Sequence, residues 1–230
     1  PNAWEDRYGL TYALNLERME CAYLSRRFEE AQLLFEDIIA HSRSKVDRAR
    51  AYATMVTLYT NIGKLAEAIG LGIKGLRMFR ERFSPRAGKL SVARELVLFN
   101  MKLRKIGLEN VPALAKSTDD EVLWRCELIG ALGLPAYYSN PNLFAVAVLR
   151  GVRRDLRDGL ANTSAFGFVA IATIISSALG DYTTANRMGE MALRLNEKLG
   201  AKRYACKVSF ISTFFLMHWV RPLRETLDHY

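Results

Sequence analysis

The sequence predicts an all-α protein, an α-solenoid of about six antiparallel helix hairpins, and three observations carry that prediction. A turn followed by an aromatic residue or leucine, and then by alanine, recurs along the chain. Apolar residues on both sides of these turns fall at helical spacing. The composition is globular: half of the 230 residues are apolar, a quarter are charged, and the mean hydropathy is −0.02. A helical array is also free of the size limit of a single core, because each unit packs only on its neighbours.

The recurring element appears at Arg26-Arg27-Phe28-Glu29-Glu30-Ala31, at Gly63-Lys64-Leu65-Ala66-Glu67-Ala68 and at Gly180-Asp181-Tyr182-Thr183-Thr184-Ala185. A weaker copy is Arg221-Pro222-Leu223-Arg224-Glu225-Thr226. Before Gly63, residues Tyr52, Met55, Val56 and Tyr59 follow the i, i+3, i+4, i+7 pattern of one helix face. After it, Leu65, Ala68, Ile69, Gly72, Leu76 and Phe79 continue that period on a second helix, so the pair forms an αα-hairpin. Val169, Ala172, Thr173 and Ser176 stand in the same relation to Gly180, with Tyr182, Ala185, Met188, Gly189 and Ala192 following. Ala31, Ala68 and Ala185 then sit where paired helices cross most closely and a larger side chain would hold them apart. Glycines inside these helices, such as Gly72, Gly75 and Gly189, each cost about 1 kcal/mol relative to alanine, which close helix contact compensates.

The pattern from turn to alanine resembles the tetratricopeptide repeat. Ala31 and Ala68 are 37 residues apart, and the 117 residues from Ala68 to Ala185 divide into three units of 39. Both spacings exceed the roughly 34 residues of the standard repeat, so the helices are expected to be longer or the turns looser. The middle is least regular. Residues 84–88 (Ser-Pro-Arg-Ala-Gly) separate hairpins, and Pro112 interrupts or starts a helix. Ser117-Thr118-Asp119-Asp120-Glu121 reads as an N-cap leading into a helix over residues 122–132. Gly133-Leu134-Pro135 and Asn140-Pro141 then frame a predicted loop, Ala136-Tyr137-Tyr138-Ser139. No shift of composition divides the chain, so residues 1–230 read as one helical-repeat domain. Pro1 in place of methionine, and a pattern cut at residues 227–230, read as a piece of a longer protein.

Function classes narrow in the same way. Cys21, Cys126 and Cys206 lie far apart without a second cysteine at ligand spacing, which reads as buried reduced thiols and a cytoplasmic location. The uncharged stretch 159–180 carries Asn162, Thr163, Ser164, Ser176 and Ser177, and reads as a buried central helix rather than a membrane span. Gly70-Leu71-Gly72-Ile73-Lys74-Gly75 matches a dinucleotide fingerprint, but helical periodicity runs through it where a strand should precede it. His41, His218 and His229 have no partner at metal-ligand spacing. No catalytic, cofactor-binding or metal-binding residue is expected, and the chain reads as non-enzymatic.

Charge and exposed aromatics supply the interaction candidates. Residues 74–105 hold ten basic side chains against Glu81 and Glu95, and so carry eight of the net nine positive charges. Arg77, Arg80, Arg82, Arg86 and Lys89 are its centre, a surface suited to an acidic protein partner. Nucleic acid is the lesser reading, because no aromatic platform is interleaved with the charges. Arg150, Arg153, Arg154 and Arg157 form a second basic row. Tyr137, Tyr138 and Asn140 complete the candidates, as residues of a loop between repeat helices.

Several strings resemble the tetratricopeptide-like region of large bacterial and fungal signalling proteins, in which a Ser/Thr-kinase-like domain and an AAA-type ATPase precede the helical region and a GAF domain and sensor histidine kinase often follow it. They are Ala49-Arg50-Ala51-Tyr52 with Leu58-Tyr59-Thr60-Asn61-Ile62-Gly63, the string Leu134-Pro135-Ala136-Tyr137-Tyr138-Ser139-Asn140-Pro141-Asn142-Leu143-Phe144, Ser164-Ala165-Phe166-Gly167-Phe168, Ala178-Leu179-Gly180-Asp181-Tyr182, and His218-Trp219-Val220-Arg221-Pro222-Leu223. The resemblance implies a regulatory, protein-interaction module that relays partner or ligand binding to flanking kinase and ATPase domains. A free-standing adaptor that clasps peptides, and a basic solenoid that binds nucleic acid, are the alternatives.

Overall fold

A computed structural model describes residues 3–222 and 224 of the chain. Among the described residues it consists of helices and their connections, with a lone β-bridge joining Lys116 to Leu160. The α-helices are α1 (Ala3–Asp6), α2 (Tyr8–Leu24), α3 (Phe28–His41), α4 (Lys45–Asn61), α5 (Leu65–Arg77), α6 (Lys89–Ile106), α7 (Asp120–Ser139), α8 (Pro141–Asp158), α9 (Ser164–Leu179), α10 (Tyr182–Leu199) and α11 (Lys202–Ile211). A 3₁₀ segment Leu108–Ala113 precedes α7, and the turns Ser212–Leu216 (π) and Met217–Trp219 (3₁₀) follow α11.

Helices pair as hairpins α2/α3, α4/α5, α7/α8 and α9/α10, while α11 packs on α9 and α10 and opens a further unit. The array is thus an all-α, solenoid-like stack, with fewer hairpins than the spacing of the alanines predicts. The difference lies between α5 and α7, where the chain builds a single long helix, α6, instead of a hairpin. Rather than pairing with its chain neighbours, α6 packs on α8 through Val92, Leu96, Phe99 and Leu103. The weak fourth copy at Leu223, Glu225 and Thr226 lies outside the described residues, as do His229 and residues 227–230.

The turns show why the hairpins form where they do. Gly63 (φ 77°) and Gly180 (φ 67°) close α4 and α9 in the left-handed region that only glycine enters freely. Asp181 then accepts the Thr184 backbone N–H at 3.0 Å and starts α10. Ala31, Ala68 and Ala185 are all buried. A Cβ added to Gly75 would lie 2.8 Å from Leu128 and 2.9 Å from Tyr52, so α5 meets α7 and α4 there at backbone distance. Of the fingerprint-like glycines, Gly72 and Gly75 are therefore contact points within α5, whereas a Cβ at Gly70 would meet nothing within 4 Å.

The apolar side chains form two clusters. The first joins α2 to α5 with α7, through Met19, Phe35, Ile38, Met55, Leu76 and Leu132. The second is built on α8 to α11 with α6, through Phe99, Leu149, Phe168, Ile171 and Met191. The uncharged stretch becomes α9, whose Phe168, Val169, Ile171 and Ala172 are fully buried. Among the described residues, no helix is long and apolar enough to cross a membrane.

Two sequence expectations need correction here. The loop predicted at Ala136-Tyr137-Tyr138-Ser139 is helical, because α7 runs through Pro135 to Ser139. Pro135 offers no N–H to the carbonyl four residues before it, but burial of Leu132, Pro135 and Ala136 holds the helix together past that gap. The helix ends one turn later, where Asn140 caps α8 by accepting the N–H groups of Asn142 and Leu143 at 3.1 Å, with Pro141 as the first helical residue. Of the cysteines expected inside, only Cys126 is buried; Cys21 and Cys206 are free thiols at the surface.

Candidate functional site

The first helix of each unit, α2, α4, α7, α9 and α11, contributes to one continuous groove of about 2330 Å³. That volume exceeds the ~300–1,000 Å³ typical of small-molecule pockets, and matches a macromolecular segment better. The groove follows from the fold, because stacking hairpins in one sense places their first helices side by side on one face.

Its lining is aromatic at two places. On α7, Tyr137 and Tyr138 meet edge to face with ring centroids 5.4 Å apart, and Tyr137 packs the same way on Phe144. Both tyrosines remain more than half exposed. At the far end, Phe210 stacks on Phe214 at 5.3 Å, Phe214 meets Phe215 at 5.0 Å, and Tyr182 stacks on Trp219 at 4.8 Å. Exposed rings in contact with one another present large apolar area at low entropic cost, the composition of interaction hot spots. Charges of both signs line the groove: Glu17 and Glu20 come from α2, Arg50 from α4, Glu127 from α7, and Arg203 and Lys207 from α11. Tyr204 donates its hydroxyl to Glu127 at 2.7 Å, and burial, with the Glu127 charge beside it, raises its pKa.

Tyr137 and Tyr138 were legible in the sequence as candidates. Asn140 is placed beside them but has a structural task at both ends: its Oδ1 caps α8 and its Nδ2 donates to Pro85 O at 2.9 Å. Phe210, Phe214 and Phe215 were missed. The signal was present, since Phe210 and Phe214 stand four residues apart and share a helix face, but in isolation it reads as core. Tyr182, expected to pack, packs on Trp219 and is also partly exposed to the groove.

The basic candidates lie elsewhere. Arg77, Arg80, Arg82, Arg86 and Lys89 are all exposed, from the end of α5 to the start of α6. The two acids in their stretch, Glu81 and Glu95, are buried and engaged by α8. Arg150 donates to Glu95 Oε1 from Nε at 2.9 Å and Nη2 at 2.7 Å, and Arg153 donates to Oε2 at 3.0 Å. Arg154 lies 2.8 Å from Glu81. Arg150 also donates to Arg82 O at 2.6 Å and lies over the Phe83 ring at 4.6 Å. Arg150, Arg153 and Arg154 of the second basic row are therefore not a free surface but the clamp that holds α6 and its loop on α8, while Arg157 is exposed and pairs with Asp158. Removing the two acids from the surface leaves the exposed part of this stretch cationic throughout.

One more ionisable group is buried nearby. Asp155 accepts the Ser164 hydroxyl at 2.7 Å and the Cys126 thiol at 3.1 Å, joining α8 to α9 and α7. Burial raises its carboxyl to about 6, opposed by the bonds from Ser164 and Cys126 and by the Arg125 charge. Burial and the Asp155 charge push the Cys126 thiol up in turn, which makes it a hydrogen-bond donor and a poor nucleophile.

No protein-family model matches the chain, and no curated protein or solved structure matches it.

Proposed function

We propose that this chain is a tetratricopeptide-like regulatory and protein-interaction module of a multidomain signal-transduction kinase and ATPase. In this reading it relays the binding of a partner segment in its groove to flanking domains. The groove is the observation that carries it: five first helices line one continuous depression whose exposed rings form two patches. Stacked hairpins couple neighbours through shared cores, so a segment that bridges α7 and α11 links the two apolar clusters mechanically. Flanking kinase or ATPase domains, or an acidic protein, are the partners in this reading, and the cytoplasm is its location. A free-standing adaptor would use the same groove, and a Walker-type ATPase in the parent reading frame separates the two.

The test is the double variant Tyr138→Ala with Phe214→Ala in the full-length parent. Both rings are exposed, so the fold should persist, while the response of phosphotransfer or ATP hydrolysis to the stimulus should fall about tenfold. A folded variant with a normal response would remove the coupling role. Turnover of ATP by the isolated chain above a heat-killed control would remove the non-enzymatic one.

A further inference from the structure

α6 buries one face on α8 and leaves the opposite face bare. Val92, Glu95, Leu96, Phe99, Leu103 and Ile106 face inward, partly or fully buried. The outward face carries Leu90, Arg94, Val97, Met101 and Arg104, all exposed, at successive spacings of four, three, four and three. That alternation is the 3.5-residue repeat of a coiled-coil seam, with Arg94 and Met101 at a positions and Leu90, Val97 and Arg104 at d positions. Leu90 is 88% exposed, Val97 58% and Met101 56%, far more than a helix with one task would leave. The inward residues occupy the b, c and f positions of the same heptads, so the two seams share one helix without conflict.

Charge decides what covers this seam. Glu95 is the only acid of α6, and it is buried under Arg150 and Arg153. Arg94 and Arg104 therefore stand in the seam and Lys105 borders it, with no carboxylate among them on that face. A second copy of α6 would set these cations against their equivalents. A membrane surface would want a broader apolar face with aromatic anchors, whereas this seam is one residue wide and aliphatic. We infer that the outer seam of α6 docks an acidic amphipathic helix of a partner protein, with leucine-like residues against Leu90, Val97 and Met101 and a carboxylate opposite Arg94. Of the two seam cations Arg104 stands in the last turn of α6, and Arg94, inside the seam at an a position, sets register and partner choice at a cost in affinity. The inference rests on the reading of the chain as an interaction module, but uses a different surface from the groove.

The probe is a synthetic helix of roughly three heptads, with leucine at a and d, glutamate at e and g, and one core glutamate placed to meet Arg94. Titrated as a fluorescent peptide into the full chain, it should bind, and about tenfold more weakly in high salt. Val97→Glu should reduce affinity at least about tenfold without moving the thermal midpoint, since the side chain is exposed. Arg94→Glu should weaken the same peptide and be rescued by a peptide with lysine at the facing position, an outcome that misfolding cannot mimic. The groove variant Tyr138→Ala with Phe214→Ala should bind the peptide as the parent chain does, so failure here leaves the groove reading standing. The proposal is overturned by a peptide that does not bind, that ignores Val97→Glu, or that binds through the groove. It is equally overturned if phosphatidylglycerol vesicles capture the chain through Val97 in the peptide's place, or if sedimentation shows a dimer that Val97→Glu dissolves.

Discussion

The hairpins α2 to α5 and the single helix α6 are held to the same molecule by different physics. In the hairpins, small residues at the crossings and a continuous apolar cluster do the holding, and the polar groups are auxiliary, as where Tyr12 donates to Asp47 O at 2.7 Å. At α6 and the loop before it, two buried carboxylates, Glu95 and Glu81, are neutralised by three arginines of a helix more than 50 residues further along the chain. The contrast teaches that a repeat can use generic apolar packing, since every neighbour presents the same face, while an element outside the repeat needs partners that specify one docking site.

The sharpest way to break the contrast is Glu95→Ala. It leaves Arg150 and Arg153 facing each other without a carboxylate, and should cost about 3 to 5 kcal/mol in urea unfolding. A loss below about 1 kcal/mol would make the clamp ornamental, and α6 would then be held by Phe99 and its apolar neighbours alone.

Asp155 gives the next largest effect, and it depends on pH. Its carboxyl titrates near 3.8 when unfolded and at about 6 when folded, because burial opposes ionisation. Between these values the folded state binds the proton more tightly, so stability falls as pH rises through the window and the penalty is constant above it. Asp155→Asn has no such penalty, so its stability relative to the parent should improve by about 2 to 3 kcal/mol between pH 4 and pH 7.5. Parallel stability curves for the two proteins would show that the carboxylate is not desolvated as the geometry requires.

Overpacking tests the other side of the comparison. Ala68→Trp and Ala185→Trp force a ring into crossings that leave alanine fully buried, and each should cost about 1 to 3 kcal/mol in thermal unfolding. An unchanged midpoint for both would break the account of the hairpins. The smallest effect belongs to the exposed cations: Arg77→Glu, Arg80→Glu and Arg82→Glu together should shift stability by less than about 1 kcal/mol. Their association with an acidic partner should weaken more at low salt than at high salt, and binding indifferent to both would reduce them to a solvated face.

The hairpins were legible because their signals are local. Gly63 and Gly180 announce turns that need positive φ, and the alanine five residues on announces the crossing. What was illegible depended on distance. Nothing near Glu95 shows that its cations come from α8, so Arg150 and Arg153 read as surface and the middle of the array read as more repeats. Pro135 misled in the opposite direction: a residue that breaks helices locally is tolerated in α7 because tertiary burial outweighs one missing hydrogen bond. Of the groove, the α7 tyrosines could be read and the phenylalanines of α11 and the π turn after it could not, because an apolar pair at helical spacing looks alike inside a core and along an open depression.

The loop before α6 is fastened on both sides of Arg86. Asn140 holds Pro85 O, Arg150 holds Arg82 O, and beyond them Ala87 is buried and α6 lies clamped on α8. The peptide bond after the exposed Arg86 thus joins two segments that are each anchored to the same helices. Cut there by trypsin, the chain would become two polypeptides that migrate as one particle until urea separates them, and the severed pieces, mixed again, would find each other through the Glu81–Arg154 pair and the packing of α4 and α5 on α7.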